Sequence, residues 1–313
     1  MMAPSSEQGK RVIVCADDFA VHGGASHGIA ALARSARISA TSVMVLSPRW
    51  SQDVHLLKDL PQSIDVGLHL DWTSDFALAS GHGMSLYSAM LQATLGGFGR
   101  AAAAVQTRAV IERQLDAFEA HWKAPPDYVD GHQHVQQFAG IREALLQVLV
   151  KRYGACHQSI VTASAARQSM HGSQQAFGLR DDEKDDRSGR LPYLRISRAP
   201  HGLADLKSRV IAAMGASALQ KLVLQAGLPV VAVLLGVYDF AGDQKRYGAL
   251  MEGWLKAAPE RSIIMCHPAE ELVQHDALGA ARLREFKYLS GAQFPEALER
   301  ASVRIVRGVS FDR

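Results

Sequence analysis

The fold class that this 313-residue chain predicts is α/β: an irregular (β/α) barrel, TIM-like, in a single domain with loop insertions. Three observations carry that expectation. Short β-branched runs alternate with longer helical patterns, the mark of a parallel sheet with crossover helices. The chain is a little longer than a typical barrel. No G-x-G-x-x-G follows the first strand and no P-loop occurs, which counts against an open doubly wound sheet. In order, the predicted strands are 12–17, 41–46, 65–70, 128–130, 193–197, 230–235, 262–266 and 303–306. Between them, Ile111, Leu115, Phe118 and Trp122 recur on one helical face, and Leu145 with Leu149 and Leu250 with Trp254 keep the same period. Gly227 followed by Pro229 stops a helix before a strand. Two stretches read as insertions. Residues 73–100 are rich in Gly, Ser and Ala, and residues 157–190 are polar and carry the charged run 181–186, expected to be a solvated loop. Residues 1–10 are expected to be flexible.

Composition narrows the function classes. With 48% hydrophobic and 21% charged residues, the chain is neither disordered nor a disulfide-built mini-protein. The net charge of +3 is spread along the sequence without a basic stripe, so no nucleic-acid partner is expected. Cys15, Cys156 and Cys266 are an odd number without C-x-x-C spacing, which counts against a disulfide framework and a cysteine-ligated zinc site. The longest apolar stretch, 228–237, is interrupted by Pro229 and Gly236 and is half of a membrane span. A soluble, cytoplasmic protein with no membrane span is the expectation, the polar N-terminus lacking a signal-peptide core.

Four polar clusters fall at the C-terminal ends of predicted strands: Asp17-Asp18, His69 within Gly67-Leu68-His69-Leu70, Asp130-Gly131-His132-Gln133-His134, and Cys266-His267-Pro268. In a barrel these ends open onto one face, so the clusters can converge. Adjacent carboxylates repel unless a cation lies near them, although an Asp pair after a strand also makes an ordinary turn or helix N-cap. His132 and His134, two residues apart, are expected to lie on one side of an extended segment; the spacing suits metal ligation, but also a hydrogen-bonded loop. Asp130 could orient an imidazole, with Gly131 permitting a sharp turn. His69 and His267 taken singly read as core histidines, Cys15 and Cys266 as small core residues, and His22, His27 and His201 as surface or loop residues. Jointly, one aspartate and two histidines would offer three metal ligands with an open coordination position, the design of a hydrolytic metal site.

In order and rough spacing, these motifs resemble the YdjC-like carbohydrate deacetylases, the family that includes chitooligosaccharide deacetylase and the hopanoid-biosynthesis-associated protein K. The matches are Ala16-Asp17-Asp18-Phe19, Gly67-Leu68-His69-Leu70, Asp130-Gly131-His132-Gln133-His134-Val135 and Cys266-His267-Pro268, with an Arg…Glu…Leu pattern over 282–289. The resemblance implies that Asp18, His69 and His132 hold a divalent metal ion, Mg²⁺ or Zn²⁺. It implies Asp17 as general base, His267 as general acid or oxyanion partner, and His134 lining the site; beside these, Asp130 and Trp72 are expected as substrate contacts. The implied activity is removal of an acetyl group from an N-acetylated sugar or glycolipid, by an irregular barrel that is often a homodimer. Ala20 stands where the family usually has Gly, Gln136 replaces the usual third His, and Asp71-Trp72 replaces Asn-Leu. Rival readings are a metal-dependent amidohydrolase or phosphoesterase, which would usually carry His-x-His on the first strand, and a non-catalytic carbohydrate-binding barrel.

Overall fold

The computed structural model describes residues 9–58, 60, 64–154, 190–200, 202 and 205–312. Among the described residues, nine strands form one curled sheet: β1 (Lys10–Phe19), β2 (Ala40–Val43), β3 (Asp65–Leu70), β4 (Tyr128–Gly131), β5 (Tyr193–Arg195), β6 (Val230–Val231), β7 (Leu234–Leu235), β8 (Ser262–Cys266) and β9 (Val303–Ile305). The path runs β6-β5-β4-β3-β2-β1-β8-β7, with β9 added to the start of β1, and every pairing is parallel. The predicted strand 230–235 is split in two. Val230–Val231 pairs with β5 and Leu234–Leu235 with β8, so the chain itself bridges the gap in an almost closed barrel.

The sheet is buried on both faces, which is why its strands read as apolar runs. Val12, Val14, Val66, Leu68, Val129 and Ile264 are each 0% exposed. The helix Ala101–Trp122 buries Ile111, Leu115, Phe118 and Trp122, the face its periodicity predicts. On the helix Gln244–Ala257 the fully buried stripe is Tyr247, Met251 and Leu255 instead; Leu250 and Trp254 are half-buried beside it. Gly227 has φ +67° after the helix Ala216–Gln225, as a helix stop requires. Lys10 opens β1 and its Nζ donates to the carbonyls of Leu255 and Lys256, so the expected flexible N-terminus does not extend that far. Residues 73–100 are largely helical, with Asp75–Ala79 and Leu86–Thr94 folded against the barrel mouth. The expected insertion 157–190 lies outside the described residues except for Arg190.

Candidate metal centre

β1 continues two residues beyond its predicted end. Its register against β2 shifts between Ala16 and Phe19, and Asp18 has φ +68°. This bulge re-aims the chain, so that the two adjacent aspartates, which a regular strand would point to opposite faces, both line one cavity. In the β3–β4 register His69 lies directly beside Asp130, and in the β1–β8 register Ala16 lies beside Cys266, which brings His267 next to Asp17. Gly67 is needed behind His69, because a Cβ there would lie 2.5 Å from the Tyr128 ring. Four separate motifs therefore meet at one end of the sheet.

Asp18 Oδ1 faces His132 Nδ1 at 3.2 Å and His69 Nε2 at 3.4 Å. The three side chains can each offer one donor atom with all three atoms within 4.8 Å of one another. His69 Nδ1 lies 2.6 Å from Asp130 Oδ1, which fixes the ring and leaves Nε2 toward Asp18. Burial alone would push the His69 pKa down, but the Asp130 carboxylate and the neighbouring aspartates hold it up to about 10. Two imidazole nitrogens and one carboxylate oxygen suit a divalent ion, which would take the place of the proton that His69 Nε2 holds toward Asp18. The donor set therefore fits the metal implied by the sequence motifs.

Arg195, which the sequence motifs do not include, organises the other half of the cluster. Fully buried on β5, it donates to Asp17 through Nη1 and Nη2 at 2.7 and 2.8 Å. Its Nη1 is also 2.8 Å from Asp130 Oδ2. Burial would raise the Asp17 pKa, but this guanidinium pulls it well below the usual carboxylate range. Cys15, Asp17 and Asp130 also come within ligating distance of one another, but Arg195 fills the place that a cation would take. The signal for Arg195 was a charge flanked by apolar residues in a strand that must be buried, because such a charge needs a counter-charge on a neighbouring strand.

Sequence expectations are corrected at several positions. The segment His132–Gln137 is a 3-10 turn with Gln133 and His134 at φ +51° and +64°, not an extended run. The imidazoles diverge as a result. His132 turns to Asp18, while His134 Nδ1 pairs with the Ser197 hydroxyl at 2.9 Å and remains on the cavity wall. Burial and the Arg195 charge lower the His134 pKa to about 3. Gln136 is wholly buried and donates to the Arg195 carbonyl at 3.1 Å, so it braces the turn against β5 and does not reach the cavity. Gly131 is required there, since a Cβ would lie 2.7 Å from Gln136 Oε1. Trp72 packs edge-on against His82 and Phe98, away from the cavity. Asp130 sits beneath His69 and is likewise not on the cavity wall. His22 is not a free surface residue: it caps the helix Gly23–Arg34, pairs with Asp276 and lines the cavity.

His267 reaches the cavity with Nδ1 lacking a hydrogen-bond partner, while its backbone N–H donates to Glu285 Oε2 at 2.6 Å. Burial lowers its pKa to about 4, leaving a neutral ring. Beyond this polar floor the wall of the cavity, about 1290 Å³, is mixed: Phe76, Leu86, Met90, Val210, Met214 and Phe240 form its apolar part, and Thr73, Ser74, Asp75, Gln133, Asp205 and Lys207 also line it.

The model of the YdjC-like protein family matches residues 11–300. The chain belongs to that family. Among curated relatives, a protein named chitooligosaccharide deacetylase from Proteus mirabilis (strain HI4320) is 28% identical over 137 residues, 42% of this chain. The match spans about half of that relative, 51% of its length. Among solved structures, a putative cellobiose-phosphate cleavage protein from Enterococcus faecalis V583 superposes with a TM-score of 0.60 at 16% identity, covering 97% of this chain and 99% of that one. At that identity the likeness is one of fold.

Proposed function

We propose that the chain is a metal-dependent carbohydrate deacetylase that releases acetate from an N-acetylated sugar carried on an apolar body. The observation that carries the reading is the convergence of Asp18, His69 and His132 beside an ionised Asp17 in one cavity. Membership of a family with a relative named chitooligosaccharide deacetylase supports the reaction class. A divalent ion held by Asp18, His69 and His132 would supply Lewis-acid polarisation of the acetamide carbonyl and acidify the attacking water.

The chain's own groups do the rest. Asp17, kept ionised and oriented by Arg195, takes the proton from the attacking water. Protonated Asp17 is then a strong acid in that pairing, and returns the proton to the departing nitrogen. His267 has a neutral ring, and its position suits a hydrogen-bond donor to the carbonyl oxygen as that oxygen gains negative charge. This favours the oxyanion-partner role for His267 over that of an imidazolium acid. The apolar part of the wall, Phe76, Leu86, Met90 and Val210, would cover a hydrocarbon aglycone, and polar lining side chains such as Asp75, Gln133 and Lys207 can meet the sugar hydroxyls.

The test is a cation-supplemented acetate-release screen over N-acetylglucosamine, its short oligomers and its alkyl or lipid glycosides. Acetate release from an N-acetyl glycoside is the expected result. Release of phosphate from generic esters with no acetate from any N-acetyl sugar would overturn the reading.

A further inference from the structure

Asp18 is gripped from the side away from the imidazoles. Arg282, on the helix Gly279–Ser290, donates from Nη2 to Asp18 Oδ2 at 2.7 Å. Its Nε donates to Asp276 Oδ2 at 2.9 Å. Asp276 is itself fixed, because Oδ1 accepts from the Leu278 N–H at 3.0 Å and Oδ2 lies 3.2 Å from His22 Nε2. His22 Nδ1 accepts from the Ala25 N–H, which leaves Nε2 to donate to Asp276. Arg282 is 3% exposed and clamped between these carboxylates. The two oxygens of Asp18 are thereby divided: Oδ2 is taken by the guanidinium, and Oδ1 alone faces His69 and His132.

We propose that Arg282 is a positioning residue that restricts Asp18 to one donor oxygen, Oδ1, and so tunes which cation the site prefers. The inference rests on the cation site proposed above. A carboxylate free at both oxygens can chelate, which favours larger, oxygen-seeking ions. One carboxylate oxygen with two imidazoles favours a smaller, borderline ion. The guanidinium also offsets the negative charge of the donor set, which weakens ions bound mainly by charge. Asp276 and His22 are part of the same device, since they keep Arg282 from swinging away from Oδ2.

The experiment measures the affinities of Mn²⁺ and Zn²⁺ by calorimetry in the wild type, Arg282→Met and Arg282→Lys. In Arg282→Met the Mn²⁺ affinity relative to Zn²⁺ is expected to rise on the order of tenfold, the scale at which outer partners tune a metal site. Arg282→Lys, whose ammonium can still hold Oδ2, is expected to stay near the wild-type ratio. A folded Arg282→Met with the wild-type ratio, or a lysine variant shifted as far as the methionine one, overturns the proposal. Should Arg282→Met not fold, Asp276→Ala, which keeps Arg282 but removes its anchor, must shift the ratio in the same direction; an unchanged ratio there is equally fatal. Wild-type protein that binds neither ion refutes the proposed function itself, an outcome distinct from an unaltered ratio.

Discussion

At the scale of single residues, left-handed backbone marks the site. Asp18, Ala20, Gln133 and His134 all have positive φ, at a cost on the order of 1 kcal/mol each for a side chain other than glycine. Ala20 is fully buried at φ +72°, which explains physically why glycine suits this position. Ala20→Gly is therefore expected to gain up to about 1 kcal/mol in urea unfolding; a loss of stability would show that the methyl packs better than the strain costs. Arg195 holds two buried carboxylates, and Arg195→Met leaves Asp17 without this counter-charge while Asp130 keeps His69. Unfolding should become easier by about 3–5 kcal/mol, the usual cost of breaking a buried ion pair. Asp17→Asn keeps the three donors of the cation site but cannot take a proton. It should retain cation affinity and lose acetate release by about a hundredfold or more, and near-normal turnover would remove Asp17 from that role.

At the scale of elements, Glu285 ties the helix Gly279–Ser290 to the ends of two strands, accepting from the His267 N–H and, at 2.6 Å, from the Tyr238 hydroxyl. Burial raises its pKa to about 7 against a usual 4.5, although these donors pull it down. Between those values the native state keeps a proton that the unfolded chain has released, so stability falls as pH rises through that window. Glu285→Gln should remove roughly 3 kcal/mol of that fall; identical slopes in urea unfolding against pH would contradict the assignment. The elements were mostly legible in the sequence because a parallel sheet buried on both faces leaves β-branched runs, and each predicted strand has a counterpart. Less legible was anything set by a local break in regularity. The bulge at Asp18 and the left-handed pair Gln133-His134 leave no periodic trace, so the imidazoles of His132 and His134 were expected on one side of an extended segment, yet diverge. Arg195 interrupts an apolar run, and its meaning depends on Asp17 and Asp130, which only the sheet order brings beside it. Trp72, expected as a substrate contact, turns its ring to Phe98 instead.

At the scale of the molecule, the curled sheet gathers charge at one end, under a cavity wall with a large apolar part. No helix among the described residues is long and apolar enough to cross a membrane; the apolar side chains Phe76, Leu86, Met90 and Val210 line the cavity. If that wall covers the aglycone, kcat/KM for alkyl N-acetylglucosaminides should climb with chain length, approaching about fourfold per buried methylene at roughly 0.8 kcal/mol each. A flat series would assign the wall to another purpose. All of this depends on a cation shared by side chains from β1, β3 and the turn after β4. The most direct measurement is equilibrium binding of a divalent ion to the wild type, Asp18→Ala and His132→Ala. One ion per wild-type chain, with affinity reduced by about a hundredfold or more in each variant, is the expected result. Absence of binding in the wild type, or equal affinity in all three proteins, would contradict the account.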